Sequence, residues 1–383
     1  MKKILSLILA AAMLLALCAC GSSSSDDASA ETAETETETE TDTTATTETS
    51  DEMAAYDIGY AKYDPDTLVL PINGREVTWD EYYYWVSGSA YSLEYYYGVS
   101  DWGAEIYEGA GYTYNDYVSE YVKSYIAQIE TLIQYAEENN ITLTDEEQAQ
   151  LDEQYESDVE TYGGGDEAAF EDYLATSYIS KDLYDKINLT YILMTKIYTD
   201  HYGENGELLT DEDVLSYAEE NGYLNCKHIL LSIDDEMTDE EKQEKYDTLQ
   251  EIADELRASG LQGEELEAAF TEKMNERSED EGGLSSYPDG YLFTEGTMVS
   301  VFEDTTKTLE EYEISDPVES SYGYHIIMRL PISPDDIAYG EDYDMRTTAA
   351  DALFENEVYN WIDTAEIVFE PEFETLDLNS LFS

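Results

Sequence analysis

Two apolar runs with the character of strands bracket the middle of the chain, and each carries one histidine. The first is Cys226-Lys227-His228-Ile229-Leu230-Leu231 and the second is Tyr324-His325-Ile326-Ile327-Met328. Strand alternation puts Cys226, His228 and Leu230 on one face, and His325 and Ile327 on one face of the later run. If the two strands are neighbours, the two imidazoles meet across the ladder. Between them the periodicity predicts a helix over 239–259, with Tyr246, Leu249, Ile252, Ala253 and Leu256 on one side, and a second over 264–275. A short strand over 289–293 and a helical turn over 299–306 follow, so the order reads β-α-α-β-α-β-β. The chain has three histidines and two lie in these runs. The plainest reading of such a pair is two satisfied core residues.

The whole segment, with its landmarks in order, resembles the parvulin-type peptidyl-prolyl isomerase domain. That resemblance implies an α+β fold, a small antiparallel sheet wrapped by helices. It further implies that His228 and His325 meet beneath a proline pocket. Met298 and Phe302 correspond to the apolar residues that grip the proline ring; being four apart, one helical turn sets them on the same side. Phe293 and Tyr322 would line the pocket. Asp280 matches a position that holds Cys or Asp in the family, with Glu279 as the one-residue alternative. The reaction implied is rotation about an Xaa-Pro bond, whose barrier of roughly 18–20 kcal/mol comes from amide resonance. It needs a pocket that favours the twisted amide, and neither a nucleophile nor a cofactor. Many family members carry Gly-Gly-Asp-Leu-Gly before the substrate helix. Here Gly282-Gly283-Leu284 comes early, and Pro288-Asp289-Gly290-Tyr291-Leu292-Phe293 fills the later position. The loop after the first strand, Ile233-Asp234-Asp235-Glu236-Met237-Thr238-Asp239-Glu240, is acidic and would repel a phosphorylated substrate. Two other chemistries compete for the same residues. Cys226, His228, His325 and Asp280 imitate a metal site but lack a second close pair of ligands. A Cys-His nucleophile lacks protease-like context.

The flanks read as export and scaffold. Met1-Lys2-Lys3 and the apolar run Ile4 to Leu17 form a signal peptide over 1–19, too short to span a bilayer stably. Leu17-Cys18-Ala19-Cys20-Gly21 resembles a bacterial lipobox, with lipid on Cys20. Cleavage there leaves Cys20 and Cys226, so no disulfide is expected. Residues 20–55 are expected to be a disordered acidic tether, because 22–52 are only Ser, Thr, Glu, Asp and Ala. Residues 56–221 are expected to form a helical domain. It opens with a hairpin around Asn73-Gly74 and a capping box at Thr78-Trp79-Asp80-Glu81. Its clearest helix runs over 114–138, and Gly163-Gly164-Gly165 interrupts the chain later. This layout resembles the N-terminal region of PrsA-like and SurA-like foldases, which implies a surface that holds unfolded chains. The isomerase segment is placed at 222–331. Residues 332–383 carry a helix with Ala350, Leu353, Phe354, Val358, Trp361 and Ile362 in one stripe, expected to pack on the helical domain.

Net charge narrows the partners. With 90 acidic against 17 basic side chains, the chain carries −73. Nucleic acid and electrostatic docking on anionic lipid are excluded as principal partners, because both need clustered Lys and Arg. The expectation is a lipid-anchored, extracytoplasmic isomerase, of the kind found at a Gram-positive cell surface, acting on exported proteins. Its rivals are a holdase with an inactive isomerase module and an acidic lipoprotein that binds cationic ligands.

Overall fold

A computed structural model describes residues 55–383. The expected signal peptide, Cys20 and nearly all of the tether lie outside the described residues. The fold is α+β, mainly helical with two small antiparallel sheets. The chain divides into two units. One runs up to Asp200 and takes in Phe354–Ser383; the other is His201–Leu353.

The first unit opens with the hairpin β1 (Leu68–Ile72) and β2 (Arg75–Thr78). Asn73 and Gly74 both have positive φ, 50° and 82°, the two-residue turn whose twist suits flanking strands. Helix α1 (Trp79–Tyr97) follows without the expected capping box: Thr78 is the N-cap, yet its hydroxyl makes no cap bond. Glu81, the residue that would close the box, is drawn inward to a salt bridge with Lys186 at 2.6 Å. A buried charge needs an ion partner more than a helix end needs a second cap. Boxes do form at Thr113/Asp116 before α2 (Tyr114–Glu138) and at Thr144/Glu147 before α3 (Asp145–Gly163). Gly164, at φ 61°, stops α3, and Asp166 caps α4 (Glu167–Ala175). Helix α5 (Lys181–Tyr202) supplies Lys186, which also pairs with the buried Glu130 of α2. Arg75 holds Glu130 from the other side at 2.6 Å. The core is aromatic, with Trp79, Tyr82, Tyr83 and Phe373 fully buried. The end of the chain returns to this core. Ile367 bridges Ile72, the Glu370 N–H donates to the Val69 carbonyl, and Trp361 stacks on Tyr135 at 4.4 Å.

In the second unit a Thr210/Asp213 box opens α6 (Asp211–Glu220). A four-stranded antiparallel sheet follows in the order β4-β3-β6-β5, from β3 (Leu224–Ser232), β4 (Tyr291–Phe293), β5 (Val318–Glu319) and β6 (Gly323–Leu330). Period-2 alternation gives this sheet two apolar faces. Ile229 and Leu231 with Ile326, Met328 and Leu330 meet α7 (Asp239–Ala258) and α8 (Glu264–Arg277). Leu224 and Cys226 with Phe293 and Ile327 meet Phe302 of α10 (Ser300–Thr308). An additional short helix, α9 (Glu281–Ser286), lies between α8 and β4 and was not expected from periodicity. At six residues it is too short to show a period. After β6 the chain stays with this sheet: Leu292 bridges Ala338, and Asn225 donates to Asp336 at 2.9 Å. Helix α11 (Met345–Thr364) and the short α12 (Leu378–Leu381) complete the chain.

Lys186 neutralises two buried carboxylates, so Lys186→Met leaves both without their main cation. The expected loss is about 3 kcal/mol of stability, read as a fall in the urea midpoint. An unchanged midpoint would show that the pair of glutamates is not held by Lys186.

Candidate active site

The two histidines reach each other because of strand register. β3 and β6 pair antiparallel, with His228 opposite Ile327 and Leu230 opposite His325. The imidazoles are therefore diagonal neighbours on the α10 face. Their Nδ1 atoms are 3.0 Å apart and their ring centroids 5.2 Å apart. Both are buried, at 7% and 4% exposure.

Hydrogen bonds continue in both directions. His228 Nε2 lies 3.0 Å from Asp280 Oδ2, and His325 Nε2 lies 2.7 Å from Ser320 Oγ. With both rings neutral only one direction of donation satisfies every atom. Ser320 O–H donates to His325 Nε2, His325 Nδ1–H donates to His228 Nδ1, and His228 Nε2–H donates to the carboxylate. The reverse order would set a bare Nε2 lone pair against an ionised oxygen. Asp280 is also the N-cap of α9 and accepts from the Gly283 N–H at 3.0 Å and from the Tyr291 hydroxyl at 2.9 Å. The hydrogen bond from His228, helped by those two donors, holds its carboxyl well below the usual carboxylate range. Burial, with His228 alongside, pushes His325 down to about 3. The pair therefore presents a neutral imidazole at His325 and an ionised carboxylate at Asp280 near neutral pH.

Above the histidines lies an apolar wall. Phe302 meets His228 and His325 edge-on, with centroids at 5.2 and 5.6 Å. Phe293 lies behind Phe302 at 6.0 Å. Met298 packs on the same cluster, but it reaches there differently from the expected helical turn. Val299 is the N-cap and the helix starts at Ser300, so Met298 sits on the loop before it. Its N–H donates to Glu303 Oε1 at 2.8 Å, and that buried carboxylate fixes the loop.

Of the residues named from sequence, the structure brings together His228, His325, Asp280, Phe293, Met298 and Phe302. Tyr322 stands apart. Its side chain is 62% exposed, and its link to the site is a backbone N–H donated to Ser320 Oγ. Glu279, the alternative to Asp280, turns instead to Lys245 and the Ser232 N–H. Sequence reading missed Ser320 and Tyr291. Ser320 precedes His325 by five residues across a turn, and hydroxyls at that spacing carry no recognisable signal. Cys226 is fully buried, and burial pushes its thiol up to about 12, away from nucleophilic use. Among the described residues no group of His, Cys, Asp or Glu side chains is arranged to hold a metal.

His325 supplies a pH test. A ring whose folded value is depressed binds its proton mainly when the chain unfolds. Between its ordinary value and the depressed one, stability therefore rises with pH, by up to about 1.4 kcal/mol per unit. Asp280 has a dependence of the same sign in a more acid window: its contribution is in place above the ordinary carboxylate range and is lost as pH falls through that range towards its lower folded value. Lowering pH from about 7 to about 5 should therefore destabilise this unit through His325. A urea midpoint that falls in the wild type but much less in His325→Asn is the expected result. Equal falls in both would remove His325 as the cause.

The chain is similar to several known proteins. Residues 228–330 match the Rotamase family, the PPIC-type PPIase domain. The foldase protein PrsA of Halalkalibacterium halodurans is 37% identical over 105 residues, which cover 24% of this chain and 32% of that protein. That of Caldanaerobacter subterraneus is 27% identical over 269 residues, covering 68% of this chain and 72% of that one. The chain thus spans about a third of the first relative's length and somewhat more than two thirds of the second's. The crystal structure of PrsA from Bacillus subtilis covers 70% of this chain and 93% of its own, at 20% identity and a TM-score of 0.24. Residues 228–330 are accordingly a PpiC-type peptidyl-prolyl isomerase domain of the parvulin kind, in a chain related to the PrsA foldases.

Proposed function

We propose that the chain catalyses cis–trans rotation of Xaa-Pro bonds in exported proteins without forming a covalent intermediate. The observation that carries this reading is the hydrogen-bonded chain Ser320–His325–His228–Asp280 beneath the wall of Phe302, Phe293 and Met298. An apolar wall takes the proline ring, and a dry setting disfavours the planar, more dipolar ground-state amide relative to the twisted one. The two histidines keep fixed tautomers and fix the polarity of the floor. With its nitrogens engaged by other side chains, neither is set up to attack the substrate. Met298 and Phe302 take the role of grip and Phe293 supports Phe302, whereas Tyr322 serves the site through the turn that carries Ser320. No cofactor has a part in this step.

The proposed division is an isomerase unit at 222–331 flanked by segments 56–221 and 332–383, of which 201–221 and 332–353 fall in the same compact unit as the sheet. Lipid on Cys20 would anchor it outside the cytoplasmic membrane, with the residues that follow as tether. Among the described residues no helix is long and apolar enough to cross a membrane. A second reading, a holdase for unfolded chains, is favoured by the run Tyr95-Tyr96-Tyr97 at the end of α1, whose rings are all exposed along with Tyr91. The first reading concerns the sheet unit and the second the helical unit, so one chain can do both.

The test is a cis-to-trans rate assay with unphosphorylated Xaa-Pro peptides and the full chain. His325→Ala and Met298→Ala should each lower kcat/KM by roughly tenfold or more, with the helical unit still folded by circular dichroism. Wild-type rates in both variants would sink the pocket assignment. A folded wild-type chain that accelerates no peptide yet suppresses aggregation of a denatured client would leave the holdase reading.

A further inference from the structure

Tyr291 is assigned no part in the rotation proposed above, yet its hydroxyl and ring are held from several sides. The residue lies on β4, opposite Cys226, on the same face of the sheet as His228. Its hydroxyl donates to Asp280 Oδ2, the oxygen that also accepts from His228, and its ring is 5.5 Å from the His228 ring. Two other tyrosines hold that ring: Tyr287 at 5.0 Å and Tyr339 at 5.8 Å, themselves 4.9 Å apart. Tyr339 is fixed in turn by its N–H, which donates to the Leu292 carbonyl of β4 at 2.7 Å.

Gly283 gives independent support. It lies inside α9, where glycine is unfavourable by about 1 kcal/mol relative to alanine. Its φ is not in the left-handed region, so backbone conformation does not require glycine there. Space does. A Cβ at Gly283 would come within 2.4 Å of the Tyr291 hydroxyl and 2.3 Å of Asp280 Oδ2. The missing side chain makes room for the hydroxyl–carboxylate bond.

We infer that Tyr291 is a positioning residue of the isomerase site, holding the Asp280 carboxylate in the orientation that keeps the proton of His228 on Nε2. This rests on the isomerase reading and adds a residue to it. Tyr291 acts through Asp280 and need not touch substrate. Without the phenol the carboxylate keeps one backbone donor and the imidazole, and is free to turn. His228 then loses the fixed partner that selects its tautomer, and the Nδ1 bond from His325 loses its acceptor for part of the time.

Tyr291→Phe in the full chain keeps the ring stack and removes only the hydroxyl. Imidazole nitrogen NMR near neutral pH reads the tautomer directly, and three histidines in the chain make it assignable. The expected result is a single Nε2–H form of His228 in the wild type and a mixture in Tyr291→Phe. In the peptide assay kcat should fall roughly fivefold with KM nearly unchanged. The acid limb of the pH profile should move upward, because the carboxylate has lost a donor to its ionised form. The groups facing that carboxylate are His228, with His325 behind it, the Gly283 N–H and Tyr291. The ammonium of nearby Lys227 is held by Glu267 and Thr271. Gly283→Ala should reproduce the loss, and the double variant should lose no more than Gly283→Ala alone. An active wild type whose Tyr291→Phe variant keeps one tautomer, the same kcat and the same pH profile would overturn the positioning role alone. A wild type that accelerates no peptide would instead overturn the isomerase reading beneath it.

Discussion

The diagonal contact between His228 and His325 is the interaction on which the second unit's site depends. It exists only while β3 and β6 hold one register. A slip of β3 by one residue would turn the His228 imidazole away from His325 to the α7–α8 face and take Ile229 and Leu231 off that face. The register is held by burial on both faces, since every residue of β3 from Leu224 to Leu231 is inaccessible or nearly so. The hydrophobic pattern that covers the sheet therefore also sets the histidine nitrogens 3.0 Å apart. Stability and site geometry share one cause in this unit.

The polar groups around that contact illustrate how an interior can hold charge. Asp280 is ionised because three donors converge on it, and burial, with His228 alongside, keeps His325 neutral. The first unit handles the problem with ions. Glu81 and Glu130 are buried around Lys186, with Arg75 on the outer side. In a chain with 17 basic residues, two are committed to that cluster, and one result is that Glu81 is no longer available to cap α1. A local rule about helix ends gives way when a stronger tertiary interaction claims the same side chain.

Much of the candidate site is legible in the sequence. Strand alternation put His228 and His325 on faces that could meet if their strands were neighbours, and the parvulin resemblance linked Met298 to Phe302. The resemblance of the segment to the parvulin type singled out Asp280. What eluded the sequence has a common physical origin. Tyr291, Ser320 and Gly283 act through contacts between elements that are distant along the chain or too short for periodicity. Met298 was expected on a helical turn and is instead held by Glu303 on a loop, since a helix start cannot be read to the residue from pattern alone. Tyr322 shows the converse. The parvulin resemblance placed it in the pocket wall, but turn geometry sends its side chain to solvent.

Sequence by itself determined the local quantities: which segments alternate with period 2 or 3.6, where Thr and Asp cap helices, where Asn73-Gly74 turns, and how strongly the net charge selects against polyanionic partners. These follow from steric and hydrogen-bonding preferences that act over a few residues. Tertiary structure decided which face each strand turned, which carboxylate of Glu279 and Asp280 reached the imidazole, and in which direction the hydrogen bonds of the site run. Those outcomes depend on through-space distances of about 3 Å between atoms far apart in the chain, and only packing fixes such distances.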